Sequence, residues 1–408
     1  MNASVEKIRE QFPYLGRLDG KVMPPVYFDN AATSQKPKSV IDLAGAWLAC
    51  ANANVHRAIY GMAAEATEHY EAGREAVRGF INAASKDEIV FTSGTTASVN
   101  LLANIFGARY IGPEDEILVS EGEHHSNLVP WQMLCERSGA GLRFIPVASD
   151  GGWDLTAAER ILADGKVRIV SVAHISNVLG IVNPVEELTA MAHRHGACVH
   201  IDGAQGVVHE PVDVRRIGCD FYSFSGHKLY ALTGTGVLYG RKDLLETLPP
   251  WMGGGEMVDT VYFDRATYAP VPLRFEAGTP NFIAAATLKP AIEFVTSVRT
   301  PQLKAYEEDM TSFLVHELRQ ISGLRLYGTG GRKAPLVSFT VDGAHHSDIA
   351  ALLDKMNIAV RSGLMCSEPL ISKFGQTGMV RASLAPYNTM EECEYFVKSL
   401  RRAVKMLI

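Results

Sequence analysis

The chain has 408 residues, enough for a large core in one or two domains, and its 47% hydrophobic and 21% charged content is that of a globular protein rather than a disordered or membrane-spanning one. A formal net charge of −6 without any basic stripe argues against a nucleic-acid surface. The first fifteen residues alternate charged and apolar side chains with no basic start and no apolar stretch, so no secretion or membrane signal is read and the cytoplasm is the expected location.

Residues 5–12 read as a short helix, followed by a Gly/Pro-rich link. Val26-Tyr27-Phe28-Asp29 is expected to open the main body, and 30–37 to form a turn. Helical periodicity runs over 62–82. Strand signals then follow at 88–92, 116–120, 142–147, 167–174, 197–202, 221–224 and 236–239, alternating with helices at 98–106, 155–163 and 185–195. That alternation predicts a large α/β domain, residues 16–282, around a mostly parallel seven-stranded sheet covered on both faces. The Gly/Pro-rich stretch 249–280 leads to a smaller α+β domain, 283–408, with helices at 284–295 and 302–321 and strands at 336–341, 358–361 and 380–384. Its last helix opens on Thr389-Met390-Glu391-Glu392, a capping box that satisfies free backbone donors. Segment 1–15 is expected to pack on this smaller domain.

Along the same path, Ser93-Gly94-Thr95-Thr96 follows a strand and opens a helix, so Thr95 and Thr96 can receive a phosphate at the positive helix end. His124, in the loop after strand 116–120, suits stacking on a ring and moving protons. Neighbouring histidines (His124-His125, His193-Arg194-His195, His345-His346) diverge in extended backbone and lack an acidic or Cys partner nearby, so no metal site is expected. Ala197-Cys198-Val199-His200-Ile201 is an apolar strand that delivers Asp202 at its carboxyl end, where open α/β sheets bind ligands.

Lys228 ends the apolar, aromatic run Ser223-Phe224-Ser225-Gly226-His227-Lys228. Alone it would be a strand-end lysine reaching for solvent. With Asp202 upstream it becomes an imine-forming amine paired with a carboxylate, which is what pyridoxal 5'-phosphate requires. Arg381 lies within an apolar strand and needs a carboxylate, from either an internal ion pair or the α-carboxylate of an amino acid. Six cysteines are scattered without any C-x-x-C spacing. Most read as packing thiols, whereas Cys366, between Gly363 and Pro369, sits in a loop where a thiol can be reached.

Lys228 and Asp202 occur together with Tyr27-Phe28-Asp29-Asn30-Ala31-Ala32-Thr33, Asn54-Val55-His56-Arg57, Glu123-His124-His125-Ser126-Asn127, Arg274-Phe275-Glu276-Ala277-Gly278-Thr279-Pro280-Asn281 and Arg361-Ser362-Gly363-Leu364-Met365-Cys366. This set resembles the fold-type I pyridoxal-phosphate enzymes, more narrowly the class V aminotransferase and cysteine desulfurase family, and most of all the group II, SufS-type desulfurases. The resemblance implies that Lys228 anchors the cofactor and that Ser225 and His227 complete a phosphate cup with Thr95 and Thr96. Thr279 would reach that cup from the partner subunit of a homodimer. By the same resemblance His124 stacks on the ring, His125 has no assigned task, Gln205 donates to the phenolic oxygen, and Asn177 shares that task or contacts substrate. Arg381 would bind the carboxylate of L-cysteine, and Arg361 would contact it too or order the Cys366 loop. Cys366 would take the sulfur as a persulfide and leave L-alanine. A SufE- or SufU-like acceptor protein and iron–sulfur cluster assembly would follow.

One local departure stands out. Group II enzymes usually carry polar residues before this cysteine and alanine after it, whereas this chain has Leu364-Met365-Cys366-Ser367. The two apolar neighbours are expected to favour the neutral thiol by desolvation and to alter acceptor docking. A selenocysteine lyase or cysteine sulfinate desulfinase, a plain class V aminotransferase, and a non-catalytic sulfur-assembly scaffold are the alternatives on the same framework.

Overall fold

The structure, a computed structural model, describes residues 3–18, 24–56 and 59–408. Arg57 of the Asn-Val-His-Arg motif lies outside the described residues. The alternating segments form the expected seven-stranded sheet, in the order Ile89–Thr92, Gly236–Gly240, Phe221–Ser225, Cys198–Asp202, Val167–Ala173, Glu116–Ser120, Gly141–Ile145. Gly236–Gly240 runs against both of its neighbours, and the other pairings are parallel. Successive residues of a strand point to opposite faces, so Tyr222 and Val237 enter the core beneath helix Gly61–Phe80 while Phe221 and Leu238 enter the core beneath helix Thr95–Tyr110.

A second, antiparallel sheet has the order Leu324–Tyr327, Leu336–Val341, Met379–Ser383, Arg361–Gly363. Helices Pro301–Arg319, His346–Lys355 and Met390–Leu407 cover it around a core that includes Leu314, Phe339, Val380 and Leu400. The predicted capping box forms, with Thr389 and Glu392 satisfying each other's backbone N–H groups.

Several elements differ from the sequence reading. Val26–Tyr27 pairs with Ile358–Ala359, and Val26 and Phe28 enter the core of the four-stranded sheet rather than opening the larger one. A strand this short has too little periodicity to announce its partner. Val5, Ile8 and Phe12 pack into the core on the seven-stranded side, with Phe12 edge-on to Phe294 and Tyr387, while Arg9 reaches the Tyr387 carbonyl and the Glu392 carboxylate. The helix expected at 284–295 is two, Phe282–Ala286 and Leu288–Val298, both packed on Gly61–Phe80. Thr287 marks the break, its hydroxyl donating to the Ala284 carbonyl and accepting from the Leu232 N–H.

The 249–280 stretch contains a hairpin, Val258–Val261 with Ala266–Tyr268, that leaves Val261, Tyr262 and Phe263 exposed. Beyond it Glu276 is buried and accepts from both Arg74 Nη1 (2.7 Å) and Nη2 (2.9 Å), from Tyr70 Oη (2.9 Å) and from the Phe91 N–H (2.7 Å). Among the described residues no helix is long and apolar enough to cross a membrane.

Candidate active site

The carboxyl ends of the parallel strands converge, as open α/β sheets require, on a cavity of about 380 Å³ closed from the other side by Arg361, Met365, Cys366 and Arg381. It gathers Thr95, Thr96, His124, Asn177, Asp202, Gln205, Ser225, His227 and Lys228 from distant parts of the chain. Thr279 is exposed and outside this cavity.

Lys228 leaves the strand Phe221–Ser225 through a tight turn. Burial brings its pKa down to about 8, against the opposing pull of the Asp202 carboxylate. Asp202 accepts from the Ala204 N–H at 2.9 Å. Its pKa is raised by burial, an effect that this hydrogen bond and the Lys228 charge oppose. The carbonyl of His227, directly before Lys228, receives donors from the 30–37 turn: Lys36 Nζ at 2.7 Å, Ser34 Oγ at 3.1 Å, and the Ser34 N–H and Thr33 Oγ1 at 3.3 Å each. Burial lowers the Lys36 amine to about 7, although three oxygens accept from it. Sequence reasoning missed this clamp; its only trace was the polar spacing Thr33-Ser34-x-Lys36.

At the start of helix Thr95–Tyr110, the Thr95 N–H donates to Ser225 Oγ (2.8 Å) and the two hydroxyls meet at 2.9 Å. Thr96 Oγ1 lies 2.6 Å from Ser126 Oγ. Gly94 has φ +149°, and a Cβ on Gly236 would come within 2.4 Å of the Gly94 Cα, so both positions need glycine for this close approach. His227 Nδ1 contacts Thr33 Oγ1 at 3.2 Å, and burial next to Lys228 holds its imidazole neutral, with a pKa lowered to about 4.

His124 Nδ1 accepts from the Ser126 N–H at 3.0 Å, which leaves the ring proton on Nε2. Burial, with help from the Lys228 charge, lowers its pKa to about 3, so the ring stays uncharged. Behind it Glu123 accepts from Ser120 Oγ, Asn127 Nδ2 (2.7 Å) and the Ala173 N–H (3.1 Å), tying two strand ends and the turn His125–Asn127 together. The amide of Gln205 donates to the Ala31 carbonyl (2.7 Å).

Arg361 and Arg381 face each other across paired strands and share Asp29: Arg361 Nη2 lies 3.1 Å from Oδ2 and Arg381 Nη2 lies 3.2 Å from Oδ1. Arg381 Nη1 also donates to the Asn177 carbonyl at 2.7 Å. Its Nε is buried without a hydrogen-bond partner among the described residues. The internal ion pair therefore exists, and the Nε–H is left without an acceptor.

Cys366 is exposed at the rim. Met365 and Cys366 both have left-handed backbone, φ +51° and +54°. Met365 is buried among Val147, Leu179, Tyr327 and Leu370, so the apolar neighbour packs away from the thiol instead of enclosing it. The Met365 carbonyl accepts from Asn177 Nδ2 (2.9 Å), Ser367 Oγ donates to Asn177 Oδ1 (3.2 Å), and the Cys366 carbonyl accepts from the His125 N–H (2.7 Å). The Asn177 amide, assigned from sequence to cofactor or substrate, is thus engaged by the cysteine loop. Of the other thiols, Cys219 and Cys393 are buried, Cys135 and Cys198 partly so, and Cys50 is exposed, contrary to the expectation for packing cysteines.

Residues 26–396 match the Aminotransferase class-V family. A protein named cysteine desulfurase from Klebsiella pneumoniae (strain 342) is 45% identical over 409 residues, covering 100% of both chains. The crystal structure of the Escherichia coli cysteine desulfurase CsdA superposes with a TM-score of 0.91 at 37% identity, over 99% of each chain. The apo structure of the cysteine desulfurase from Thermococcus onnurineus NA1 superposes with a TM-score of 0.93 at 36% identity, over 98% of each.

Proposed function

The chain belongs to the class-V aminotransferase family, and from that premise together with the site we infer that it is a cysteine desulfurase of the SufS type that uses pyridoxal phosphate and carries the sulfur on Cys366. The observation that carries this reading is the meeting of Lys228 and Cys366 on one cavity. The residues present fit the cofactor. A buried amine, a carboxylate at a strand end and a helix start lined by hydroxyls line the cavity, a pair of glycines in close approach lies behind that helix start, and Arg381, with its Nε–H unpartnered, lines the cavity too.

Lys228 would hold the aldehyde carbon, Thr95, Thr96, Ser225 and His227 the phosphate, Asp202 the ring nitrogen, His124 the ring face and Gln205 the phenolic oxygen. When bound, pyridoxal phosphate supplies an electron sink for bond changes at the substrate Cα.

The chain's own groups supply the rest. Arg381, with Arg361 beside it, binds the α-carboxylate of cysteine by charge-assisted hydrogen bonds. Lys228 has a lowered pKa, so near pH 8 it can take a proton from the substrate Cα and give it back. Uncharged His124 offers its Nε2–H without adding a positive charge beside Lys228. The Cys366 sulfur, as thiolate, attacks the substrate sulfur; the new S–S bond forms as the Cβ–S bond breaks, and the released electron pair is protonated at carbon. The balance is cysteine plus enzyme thiol to alanine plus enzyme persulfide.

An exposed Cys366 suits handover to an acceptor protein, and the short Arg361–Pro369 spacing supports the group II assignment. Exposed Ile59, Tyr262 and Phe263 support a homodimer, in which Thr279 would serve the partner's phosphate cup. The test is a mass spectrum of the Cys366 peptide after the cofactor-loaded protein meets L-cysteine without reductant, with alanine quantified alongside. Added sulfur on Cys366 and equimolar alanine are expected, and Cys366→Ser should abolish both. Alanine formed equally well by Cys366→Ser would sink the persulfide route.

A further inference from the structure

We infer that His125 is a positioning residue that docks the sulfur-accepting loop, an assignment that rests on Cys366 being the acceptor. Four consecutive residues of this loop are held individually. Asn177 takes the Met365 carbonyl and the Ser367 hydroxyl, while His125 takes the two positions between and beyond them. Its backbone N–H donates to the Cys366 carbonyl at 2.7 Å, and its ring Nε2 accepts from the Glu368 N–H at 3.3 Å.

That N–H belongs to the first residue of helix Glu368–Lys373, where no intrahelical acceptor is available. The accepting Nε2 places the ring proton on Nδ1, the opposite tautomer from His124 next to it. The adjacent histidines thus have different tasks, one facing the cavity and one facing the loop.

The backbone gives this contact its importance. Left-handed φ at two successive residues that are not glycine is sparsely populated and persists only where the surroundings over-determine it. Met365 is anchored in the apolar cluster on the upstream side. On the downstream side the His125 ring is the side chain that meets the backbone of residue 368. Without it, the Glu368 N–H loses its acceptor and the loop keeps only the Asn177 contacts and the backbone bonds of Cys366 and Ser367, which lets the thiol shift relative to the cavity.

The experiment compares His125→Ala and His125→Gln with the parent in the cofactor-loaded protein. Glutamine places an acceptor oxygen close to where Nε2 stands. The ring is only partly buried, so its removal leaves no core cavity. Three readouts are taken: alkylation rate of Cys366 by iodoacetamide, single-turnover persulfide formation, and the cysteine concentration that half-saturates the spectral response. For His125→Ala alkylation should become several-fold faster and persulfide formation at least about tenfold slower, the cost of a thiol misplaced by roughly 1 Å, with half-saturation unchanged. His125→Gln should restore most of both rates. Alkylation that does not change in His125→Ala, or a glutamine variant no better than alanine, would overturn the assignment. Faster alkylation in a protein whose parent forms no persulfide would leave the docking role standing and sink the desulfurase reading instead.

Discussion

Lys228 differs from an ordinary lysine because burial favours its neutral form more than Asp202 favours its charged form. Below about pH 8 the amine is protonated and inert, and above it is free. In cofactor-free protein, labelling of Lys228 by a small amine-reactive reagent should therefore rise through pH 8 and level off. A rate still climbing toward 10.5, the unperturbed value, would contradict this. Arg381→Lys keeps a charge but loses the planar fork and the free Nε–H, so the KM for cysteine should rise about 10- to 100-fold, the equivalent of one charge-assisted bond. Steady-state kinetics decide, and an unchanged KM would remove Arg381 from carboxylate binding. Residues such as Lys228, Asp202 and Cys366 were legible because a strand end or a loop already exposes an unusual chemical group. Asp29, Lys36, Glu123 and His125 were not, since each acts on atoms brought to it from far along the chain, and nothing in their local sequence marks that partner.

At the level of elements, what was readable followed the clarity of the apolar pattern and not the length of the segment. Helix Leu155–Ala163 and strand Leu336–Val341 fall where periodicity placed them, whereas Lys38–Cys50, Val129–Ser138 and the Val258–Val261 hairpin passed unnoticed because loop-like residues or mixed polarity hid them. The Arg74–Glu276 pair shows what such a loop can carry, for it fastens the Gly-rich return segment to helix Gly61–Phe80 and to strand Ile89–Thr92. Glu276→Ala would strip Arg74 of its buried carboxylate, leaving only the looser Glu71 contact at 3.3 Å and the Ile89 carbonyl, and should cost about 3 kcal/mol in urea unfolding. A loss below about 1 kcal/mol would show that Arg74 finds another acceptor. Gly236→Ala should push the start of helix Thr95–Tyr110 off the sheet through its contact with Gly94, and cofactor retention on gel filtration should fall while the fold persists.

For the whole molecule, the site belongs to neither sheet alone. The larger sheet provides Lys228 and the hydroxyls of Thr95, Thr96 and Ser225, and the smaller one provides both arginines and, in the loop that follows Arg361–Gly363, the thiol. The fold class was readable from the alternation of strands and helices. The pairing of Val26–Tyr27 with Ile358–Ala359 was not, because pairing across more than 300 residues leaves no local signature. Apolar side chains exposed at Ile59 and Phe263 are costly in a monomer. Sedimentation should show twice the chain mass, and Ile59→Glu with Phe263→Glu should shift it toward one chain; a parent sedimenting as a monomer would exclude the dimer.

The single reversed strand has a consequence in time. Among the described residues Ile89–Thr92 joins the sheet through Gly236–Gly240 alone, although Thr95 and Thr96 directly follow it in the chain. On a ribosome adding about 5–20 residues per second, the Thr95 helix start waits roughly 7–30 s for its neighbour to be synthesised. Lys228 emerges in the same interval. A nascent chain therefore cannot complete this wall of the cavity early, and the Thr95 helix start and the Lys228 amine mature together.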